Sequence, residues 1–361
     1  MPQDNHHYTL HVLKYFLILV CRLAVSATFV FSGFVKLVDP YGTAYKIHDY
    51  LVAMDLPWLL DRPLLPIVLS VLQAVLEFCL GVCLFFSIRR RTTLTLMIAM
   101  LLIYTPLTLW LAISDAVTDC GCFGDALHLT NWQTFGKNLL LLVLLAILWW
   151  QRKQLTRFIP ESVQWVISLS AILASLFLAG FCIYGEPVID FRPFHVGQHI
   201  PTAMQWPEDP AQTPEILDFS IEAYTEDAGI NTDAILADTS YTFLLISPYL
   251  EQADDSNIEH INALCDYAQE YGYRFLCLTA SGDSAIHRWQ DLTGAEYPFA
   301  YMDELTLKTI ARSNPALLLL HDGTIVGKWS HHTMPDENTL TGPLHTLPIT
   351  RPSYRWWQKN S

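Results

Sequence analysis

Long apolar stretches alternate with short polar ones through the first half of the chain. Five stretches are about 20 or more residues long: 15–35, 64–88, 94–113, 131–150 and 163–184. A helix of about 20 apolar residues crosses the hydrocarbon core of a bilayer. The pattern therefore predicts five membrane-spanning helices, preceded by a polar tail over residues 1–14. Residues 41–63 lie between the first two spans and are expected to hold a short helix at the membrane interface.

The pattern changes after residue 185, where apolar runs become short and are interrupted by polar helical segments. A Pro-rich linker is expected over residues 186–240, and an α/β domain over residues 241–345. Within that domain the pattern predicts strands at 241–247, 274–279, 316–321 and 324–329, and helices at 256–271, 284–292 and 303–311. Residues 346–361 are expected to form a C-terminal tail.

Charge divides the chain in the same place. Residues 1–185 carry 12 Lys and Arg against 10 Asp and Glu, a net charge of +2, and residues 186–361 carry 9 against 25, a net charge of −16. The whole chain is 52% hydrophobic and only 16% charged, which indicates a membrane half and an acidic water-soluble half. The acidity argues against nucleic acid as a partner, because phosphate is repelled.

Basic residues in the polar loops predict the orientation. They cluster after the second and fourth spans, at Arg89, Arg90, Arg91, Arg152, Lys153 and Arg157. Because cytoplasmic loops are rich in Lys and Arg, both loops are expected inside, and the 151–185 segment then carries the fifth span outward. The loop before the fourth span and everything after residue 185 are then outside, where disulfides persist.

The loop before the fourth span holds the candidate chemistry, Asp119-Cys120-Gly121-Cys122-Phe123-Gly124-Asp125. A glycine between two cysteines lets the backbone fold tightly enough to bring their sulfurs together. The loop therefore predicts a redox pair, Cys120 and Cys122, with neighbouring aspartates that raise the thiol pKa. A plain Gly-rich turn and half of a metal site near His128 remain alternatives.

Two ionisable residues lie inside predicted spans. Counting from the cytoplasmic ends places Arg22 of the first span and Glu77 of the second at similar depths, so they are expected to pair. The pair would either fix helix packing or serve proton or quinone chemistry. At the outer end of the first span, Gly33 is expected to allow close helix packing and Lys36 to extend to the lipid headgroups.

Three short patterns give the membrane half a family resemblance. They are Ser32-Gly33-Phe34-Val35-Lys36-Leu37, Glu77-x-x-x-Gly81, and Cys120-Gly121-Cys122-Phe123-Gly124-Asp125. Residues 15–150 resemble the DoxX/MauE group of redox-associated membrane proteins, MauE being a methylamine utilisation protein. The resemblance implies a four-helix bundle, here with a fifth helix, linked to disulfide formation or electron transfer in the bacterial envelope. The layout is also similar to vitamin K epoxide reductase, which uses Cys-x-x-Cys and a quinone where this chain has Cys-x-Cys.

The order of elements in the second half resembles the thioredoxin fold. That resemblance implies that Pro315 is cis and faces the active cysteines. In catalytic members a Cys-x-x-Cys motif follows the first strand, whereas this chain has Ser247-Pro248-Tyr249 there. Cys265 and Cys277 fall at core positions of a helix and a strand. The domain is therefore expected to bind partners rather than to exchange disulfides itself.

Three functions follow for a multi-pass inner-membrane protein with a periplasmic C-terminal domain. The leading hypothesis is thiol–disulfide exchange or electron transfer for an envelope client protein through Cys120 and Cys122. The second is a non-enzymatic scaffold for assembly or folding of such a client, with the cysteines as a structural clasp. The third is a subunit of a quinone-linked oxidoreductase.

Overall fold

The computed structural model of the chain describes residues 3–117, 120–209, 213–224, 230–336 and 340. Asp119 and the expected C-terminal tail, 346–361, lie outside these ranges. The chain divides into two compact units, Met1–Ile183 and Tyr184–Ser361. The boundary falls where the sequence pattern changes from long apolar runs to short ones.

The first unit consists of helices. They are α1 (Gln3–Val38), α2 (Pro40–Ala53), α3 (Pro57–Leu60), α4 (Leu65–Phe85), α5 (Arg90–Ser114), α6 (Asn131–Trp150) and α7 (Gln164–Tyr184). Five segments are long and apolar enough to cross a membrane, namely Val12–Val38, Leu65–Phe85, Arg90–Ser114, Asn131–Trp150 and Glu161–Tyr184. The five predicted spans are confirmed to within a few residues. Helix α1 begins at Gln3, inside the segment expected to be a polar tail.

Helix α1 is the central helix of this unit. Half of its most apolar window is buried, against 22–33% for the other four spans. It packs closely against α4, because a side chain at Gly33 would meet the backbone of Phe78 at 2.4 Å and one at Gly81 would meet that of Val30 at 2.7 Å. Glycine at both positions lets the two backbones approach, as small residues do in membrane bundles.

Helix α1 ends opposite the middle of α4, and α2 covers the outer half of α4. Asp39 caps α2 by accepting a hydrogen bond from the Gly42 amide, and Pro40 occupies the first position of that helix. The Ser70 hydroxyl of α4 donates to the carbonyl of Pro40 at 2.7 Å. The segment expected to lie at the interface therefore begins with a helix packed on the bundle.

The N-terminus of α6 has a complete capping box. Thr130 accepts a hydrogen bond from the Gln133 amide, and the Gln133 side chain accepts from the Thr130 amide. Thr130 is therefore the cap, one residue before Asn131. Asn131 is instead buried and donates to the carbonyl of Val117, so it ties the loop after α5 to α6.

The second unit is a six-stranded sheet with helices. Its elements are α8 (Ile200–Ala203), β1 (Glu222–Ala223), α9 (Thr232–Leu236), β2 (Tyr241–Ser247), α10 (Ile258–Glu270), β3 (Arg274–Thr279), α11 (Asp283–Thr293), β4 (Phe299–Tyr301), α12 (Glu304–Ile310), β5 (Ala316–His321) and β6 (Thr324–Ser330). The strand order is β1-β4-β3-β2-β5-β6. Strands β2, β3 and β4 are parallel, whereas β5 and β6 are antiparallel to their neighbours. All four predicted strands are present.

The expected linker, residues 186–240, contributes to the core of this unit. Phe194, Ile200, Phe219 and Ile235 pack with side chains of the central strands on one sheet face. The segment lacks a regular apolar period because most of it is irregular backbone that covers the sheet. A sequence search for helix or strand periods therefore does not detect it.

Candidate functional site

The cysteine loop takes a tight turn that depends on two glycines. Gly121 and Gly124 have φ angles of +61° and +51°, a region that residues with a Cβ rarely adopt. The Gly124 amide donates to the carbonyl of Gly121, and a short 3₁₀ helix, Gly124–Ala126, follows. A Cβ at Gly124 would also lie 2.9 Å from Val35 of α1, so this glycine allows the loop to lie against the bundle.

The turn brings the two cysteines into contact. Both are free thiols, and their sulfur atoms lie 2.8 Å apart. The Sγ atom of Cys120 also lies 3.3 Å from the hydroxyl oxygen of Thr134 at the start of α6. Each cysteine carbonyl is held by a helix: the Tyr50 hydroxyl donates to Cys120 at 2.5 Å and the Ser32 hydroxyl to Cys122 at 2.7 Å.

The two thiols have opposite pKa shifts. The hydrogen bond from the Cys122 thiol lowers the pKa of Cys120 to about 6, against the effect of burial and with smaller help from Thr134 and Lys137. The pKa of Cys122 is raised, because it donates to Cys120 and is buried. One thiolate and one thiol can therefore share a proton across the pair at neutral pH.

This result corrects the expectation that flanking aspartates raise the pKa of both thiols. Asp119 lies outside the described residues, and Asp125 is not among the causes of either shift. The dominant effect on Cys120 is its neighbour in the pair. Lys137 lies on α6 with its ammonium 4.4 Å from the centre of the Phe123 ring, and its charge favours thiolate on the nearby sulfurs.

A buried ion pair lies beneath the loop. The Lys36 ammonium is 2.8 and 2.7 Å from the two carboxylate oxygens of Glu77, and both side chains are at least 96% buried. The Ser32 hydroxyl lies 2.6 Å from Glu77 Oε2 and 2.7 Å from the Cys122 carbonyl. Gln73 and Tyr104 donate to the other Glu77 oxygen at 3.3 and 3.2 Å. A continuous polar network thus joins the membrane interior to the cysteine loop.

The predicted pair between Arg22 and Glu77 is wrong, and so is the extension of Lys36 to the headgroups. The contacts of Gly33 with Phe78 and of Gly81 with Val30 fix an antiparallel register between α1 and α4. In that register the Lys36 side chain lies beside Glu77. Arg22 instead lies near the C-terminal end of α4. The depth count failed because α1 starts well before Lys14 and ends opposite the middle of α4.

Arg22 has a separate environment near the basic loops. It is 1% exposed and donates to the Ser87 hydroxyl at 2.8 Å and to the Thr156 carbonyl at 2.9 Å. Its guanidinium carbon lies 4.2 Å from the centre of the Phe158 ring. These contacts connect α1 to the loops after α4 and α6, which is a packing role.

A cavity of about 420 Å³ lies beside the cysteine loop within the first unit. It is lined by residues of α1, α2, α4, α5 and α6 and by the loop itself. Its polar lining includes both cysteines and the buried network: Ser32, Lys36, Gln73, Glu77, Tyr104, Cys120 and Cys122. Its apolar lining includes Leu69, Leu72 and Leu76 of α4 and Ile103 and Leu107 of α5. The cavity therefore exposes the thiols to a mostly apolar space.

The other cysteines of this unit lie away from the loop. The sulfurs of Cys79 and Cys83 on α4 face Ser175 and Ser168 of α7, at 3.9 and 3.8 Å. They belong to the contact between α4 and α7. Among the described residues, no group of three or more His, Cys, Asp and Glu side chains has the arrangement of a metal site.

A polar cluster lies at the end of β2 in the second unit. The Ser247 hydroxyl donates to the Asn314 side-chain oxygen at 2.7 Å, and the Asn314 amide donates to the Tyr249 carbonyl at 2.8 Å. The peptide bond between Asn314 and Pro315 is cis. Cys265 and Cys277 are buried in the core, where desolvation raises the pKa of both thiols.

Sequence reasoning missed two polar groupings of the second unit. Arg192 is 1% exposed and pairs with Asp190 and Glu186 at 2.7 and 2.9 Å, and Lys328 pairs with Asp190 at 2.7 Å. Burial opposes ionisation of Asp190, but the two cations hold its pKa well below the ordinary value. His331 is partly buried, and its Nδ1 lies 2.8 Å from the Ser313 hydroxyl.

Comparison with known proteins gives one match. Residues 14–151 match the model of a family described as methylamine utilisation protein MauE. No curated protein and no solved structure gave a match. The matched segment includes α1 from residue 14 onward, α2 to α6, the cysteine loop and the buried ion pair. Over these residues the first unit is similar to the MauE family, and its five long apolar helices are those of a multi-pass membrane protein.

Proposed function

We propose that this protein catalyses thiol–disulfide exchange for envelope proteins, with Cys120 and Cys122 as the reacting pair. The observation that carries the proposal is a pair of free thiols 2.8 Å apart with opposite pKa shifts, beside a cavity in the membrane unit. A thiolate is the nucleophile of disulfide exchange, and a neighbouring thiol resolves the mixed disulfide.

The opposite pKa shifts support a division of roles between the two cysteines. The Cys120 thiolate attacks one sulfur of a client disulfide, forming a mixed disulfide and releasing the other client sulfur as a thiolate. Cys122 gives up its proton and attacks the Cys120 sulfur, which closes the Cys120–Cys122 disulfide and releases the client dithiol. Run in reverse, the same mixed disulfide at Cys120 transfers the disulfide to a reduced client.

The proposed setting is the bacterial inner membrane, with the cysteine loop and the second unit in the periplasm. The support is the alternation of basic and cysteine-bearing loops and the need of a disulfide for an oxidising compartment. We further propose that the second unit is a thioredoxin-like domain without its thiols. Its parallel β2–β3–β4 strands and its antiparallel β5–β6 strands support this assignment.

A single-cysteine series tests the exchange. Cys122→Ser keeps Cys120 but removes the resolving thiol, so it should accumulate a mixed disulfide with a client that is visible on a non-reducing gel. Cys120→Ser should give none, and thiol trapping of the unaltered protein should show both cysteines cycling together. Cys21→Ala, a buried cysteine of α1, is the matched control and should behave like the unaltered protein.

A second candidate is a scaffold that binds a client without redox chemistry. The observation that favours it is the replacement of thiols in the second unit, where Ser247 and Asn314 bond to each other. Full function in the Cys120→Ser, Cys122→Ser double variant would leave only this candidate. Loss of function in that variant, with normal membrane insertion, would exclude it.

A further inference from the structure

A second cavity of the first unit lies at the opposite end of α5 from the cysteine loop. Its volume is about 400 Å³, within the range of small-molecule sites. The loops after α4 and α6 form it together with the first turn of α5. We call it the basic cavity, because six of the seven side chains that line it are cationic: Arg89, Arg90, Arg91, Thr92, Arg152, Lys153 and Arg157.

Hydrogen bonds to the backbone hold the two loops of the basic cavity together. The Arg90 guanidinium donates to the carbonyls of Leu155 and Lys153 at 2.8 and 3.3 Å. The buried Arg22 of α1 also donates to both loops. Like charges repel each other, so cations gathered by such a framework favour a bound anion that offsets the repulsion.

The protein itself supplies little of the opposite charge. Among the described residues, one ion pair involves the lining, between Arg157 and Glu161. Six positive charges against one negative charge give the cluster a net charge of +5. Guanidinium groups bind phosphate oxygens through paired hydrogen bonds, and the first turn of a helix also favours anions. The basic cavity therefore suits a ligand that carries phosphate.

The position of the basic cavity favours a phosphate that belongs to a lipid. Its residues lie at the ends of two membrane spans, Arg90–Ser114 and Asn131–Trp150, where lipid headgroups meet water. Aromatic side chains flank it in the chain, with Trp150 83% and Phe158 51% exposed. Exposed aromatic rings at a span end are typical of the membrane interface, so they offer contacts for lipid that a soluble phosphate compound does not need.

We infer that the basic cavity binds the headgroup of an anionic phospholipid, with preference for a headgroup of two phosphates such as that of cardiolipin. Basic pockets beside membrane spans suit such headgroups. Two phosphate diesters bring two negative charges to a cluster of +5, and a single phosphate brings one. The bound lipid connects the loops after α4 and α6. This site is separate from the cysteine loop, and the inference does not depend on thiol exchange.

Lipid selectivity is measured on the full-length protein in a neutral detergent. Cardiolipin is titrated in, and native mass spectrometry counts the lipids bound to each chain. One cardiolipin should bind first, more tightly than phosphatidylglycerol, which has one phosphate, and far more tightly than phosphatidylcholine, which has no net charge. Equal affinity for phosphatidylcholine would overturn the site. Equal affinity for phosphatidylglycerol would overturn the preference for two phosphates.

The double variant Arg89→Gln, Lys153→Gln tests the lining. Each cation near a lipid headgroup contributes about fivefold to binding, so losing both should weaken the first cardiolipin site about 25-fold. The double variant Lys14→Gln, Arg62→Gln is the matched control, because it removes the same charge at exposed positions outside the lining. It should bind cardiolipin like the unaltered protein. Arg89→Lys with Lys153→Arg keeps both charges and should keep most of the affinity.

Two outcomes separate a lipid site from other anion binding. Equal weakening in the test and control variants would show general charge attraction and overturn the site. Inorganic pyrophosphate has two phosphates without acyl chains and should displace cardiolipin only in large excess. Displacement at concentrations equal to those of the lipid would overturn the lipid assignment. If the test variant does not insert into the membrane, Lys153→Gln alone should still show a loss of about fivefold.

Discussion

The acidity of Cys120 depends on one hydrogen bond, and Cys122→Ala removes the donor. In the intact pair the pKa of Cys120 falls from the ordinary 9.0 to about 6, with the Cys122 thiol as the largest cause. This difference corresponds to at most about 4 kcal/mol of preference for the thiolate. We expect the alanine variant to return the pKa most of the way toward 9.0, with Thr134 and Lys137 supplying what remains.

The assay is the pH dependence of Cys120 alkylation by iodoacetamide, followed by mass spectrometry of the peptide. At pH 7 a thiol with a pKa of about 6 is roughly nine-tenths thiolate, against about one-hundredth for an unperturbed one. Low-pKa thiolates are weaker nucleophiles, which cancels most of that advantage and leaves a gain of only about fourfold in rate. The midpoint of the pH profile, rather than the rate at one pH, therefore measures the effect.

The same shift predicts how stability changes with pH. The folded pKa of Cys120 is below its unfolded value, so the folded protein loses this proton first. The stabilisation is fully present above about pH 9 and is lost as pH falls through about 6. The reduced protein should therefore gain thermal stability between pH 6 and 9, and Cys120→Ser should lack this gain.

Two control variants test whether the Cys122 thiol is the main cause of the lowered Cys120 pKa. Thr134→Val should raise the midpoint by less than Cys122→Ala does, because the Thr134 hydroxyl is a smaller cause of the shift. Cys21→Ala, a buried site of α1, should leave it unchanged. An alkylation midpoint near 9 in the unaltered protein, or the same midpoint with and without Cys122, would refute the reasoning.

Three further predictions concern topology, the ion pair and the second unit. A periplasmic reporter enzyme fused after Ser361 should be active, and activity of a cytoplasmic reporter there would reject the orientation. Lys36→Met or Glu77→Leu alone should cost several kcal/mol by leaving a buried charge, measured as lost thermal stability, and the double change should recover most of it; a harmless Glu77→Leu would contradict this. Cys265→Ala and Cys277→Ala should leave the mixed-disulfide pattern of the Cys122→Ser protein unchanged, and loss of that pattern would implicate the second unit in exchange.

The longer elements of this fold could be predicted because they are encoded by local residue patterns. The helix Asn131–Trp150 and the strands Tyr241–Ser247, Arg274–Thr279 and Ala316–His321 have the predicted bounds. Uninterrupted apolar runs of span length and short buried runs between turn residues both set these bounds locally. Short elements such as Glu222–Ala223 have no such pattern, because pairing with a neighbouring strand alone defines them.

The partner of Glu77 could not be predicted from the depth of residues in separate helices. A depth count assumes that the ends of the two helices lie level with each other, and in the observed register α1 extends beyond the end of α4. The register depends on where Gly33 and Gly81 let the backbones approach, which is a property of two helices together. Both glycines are visible in the sequence, and pairing them with the facing helix would have placed Lys36, not Arg22, near Glu77.

Ser32 explains how a membrane ion pair and a surface loop become one site. Its hydroxyl has one proton but two acceptors within 2.7 Å, the Glu77 carboxylate and the Cys122 carbonyl. Both carboxylate oxygens already receive hydrogen bonds from Lys36, and Lys36 also donates to the Ser32 oxygen at 3.2 Å. A hydroxyl that accepts a hydrogen bond from an ammonium becomes a stronger donor. Because the Glu77 carboxylate already receives hydrogen bonds from Lys36, the Ser32 proton is best used on the Cys122 carbonyl. The buried charge of Lys36 therefore strengthens the bond that holds the cysteine turn, which gives an expensive intramembrane ion pair a role at the thiols.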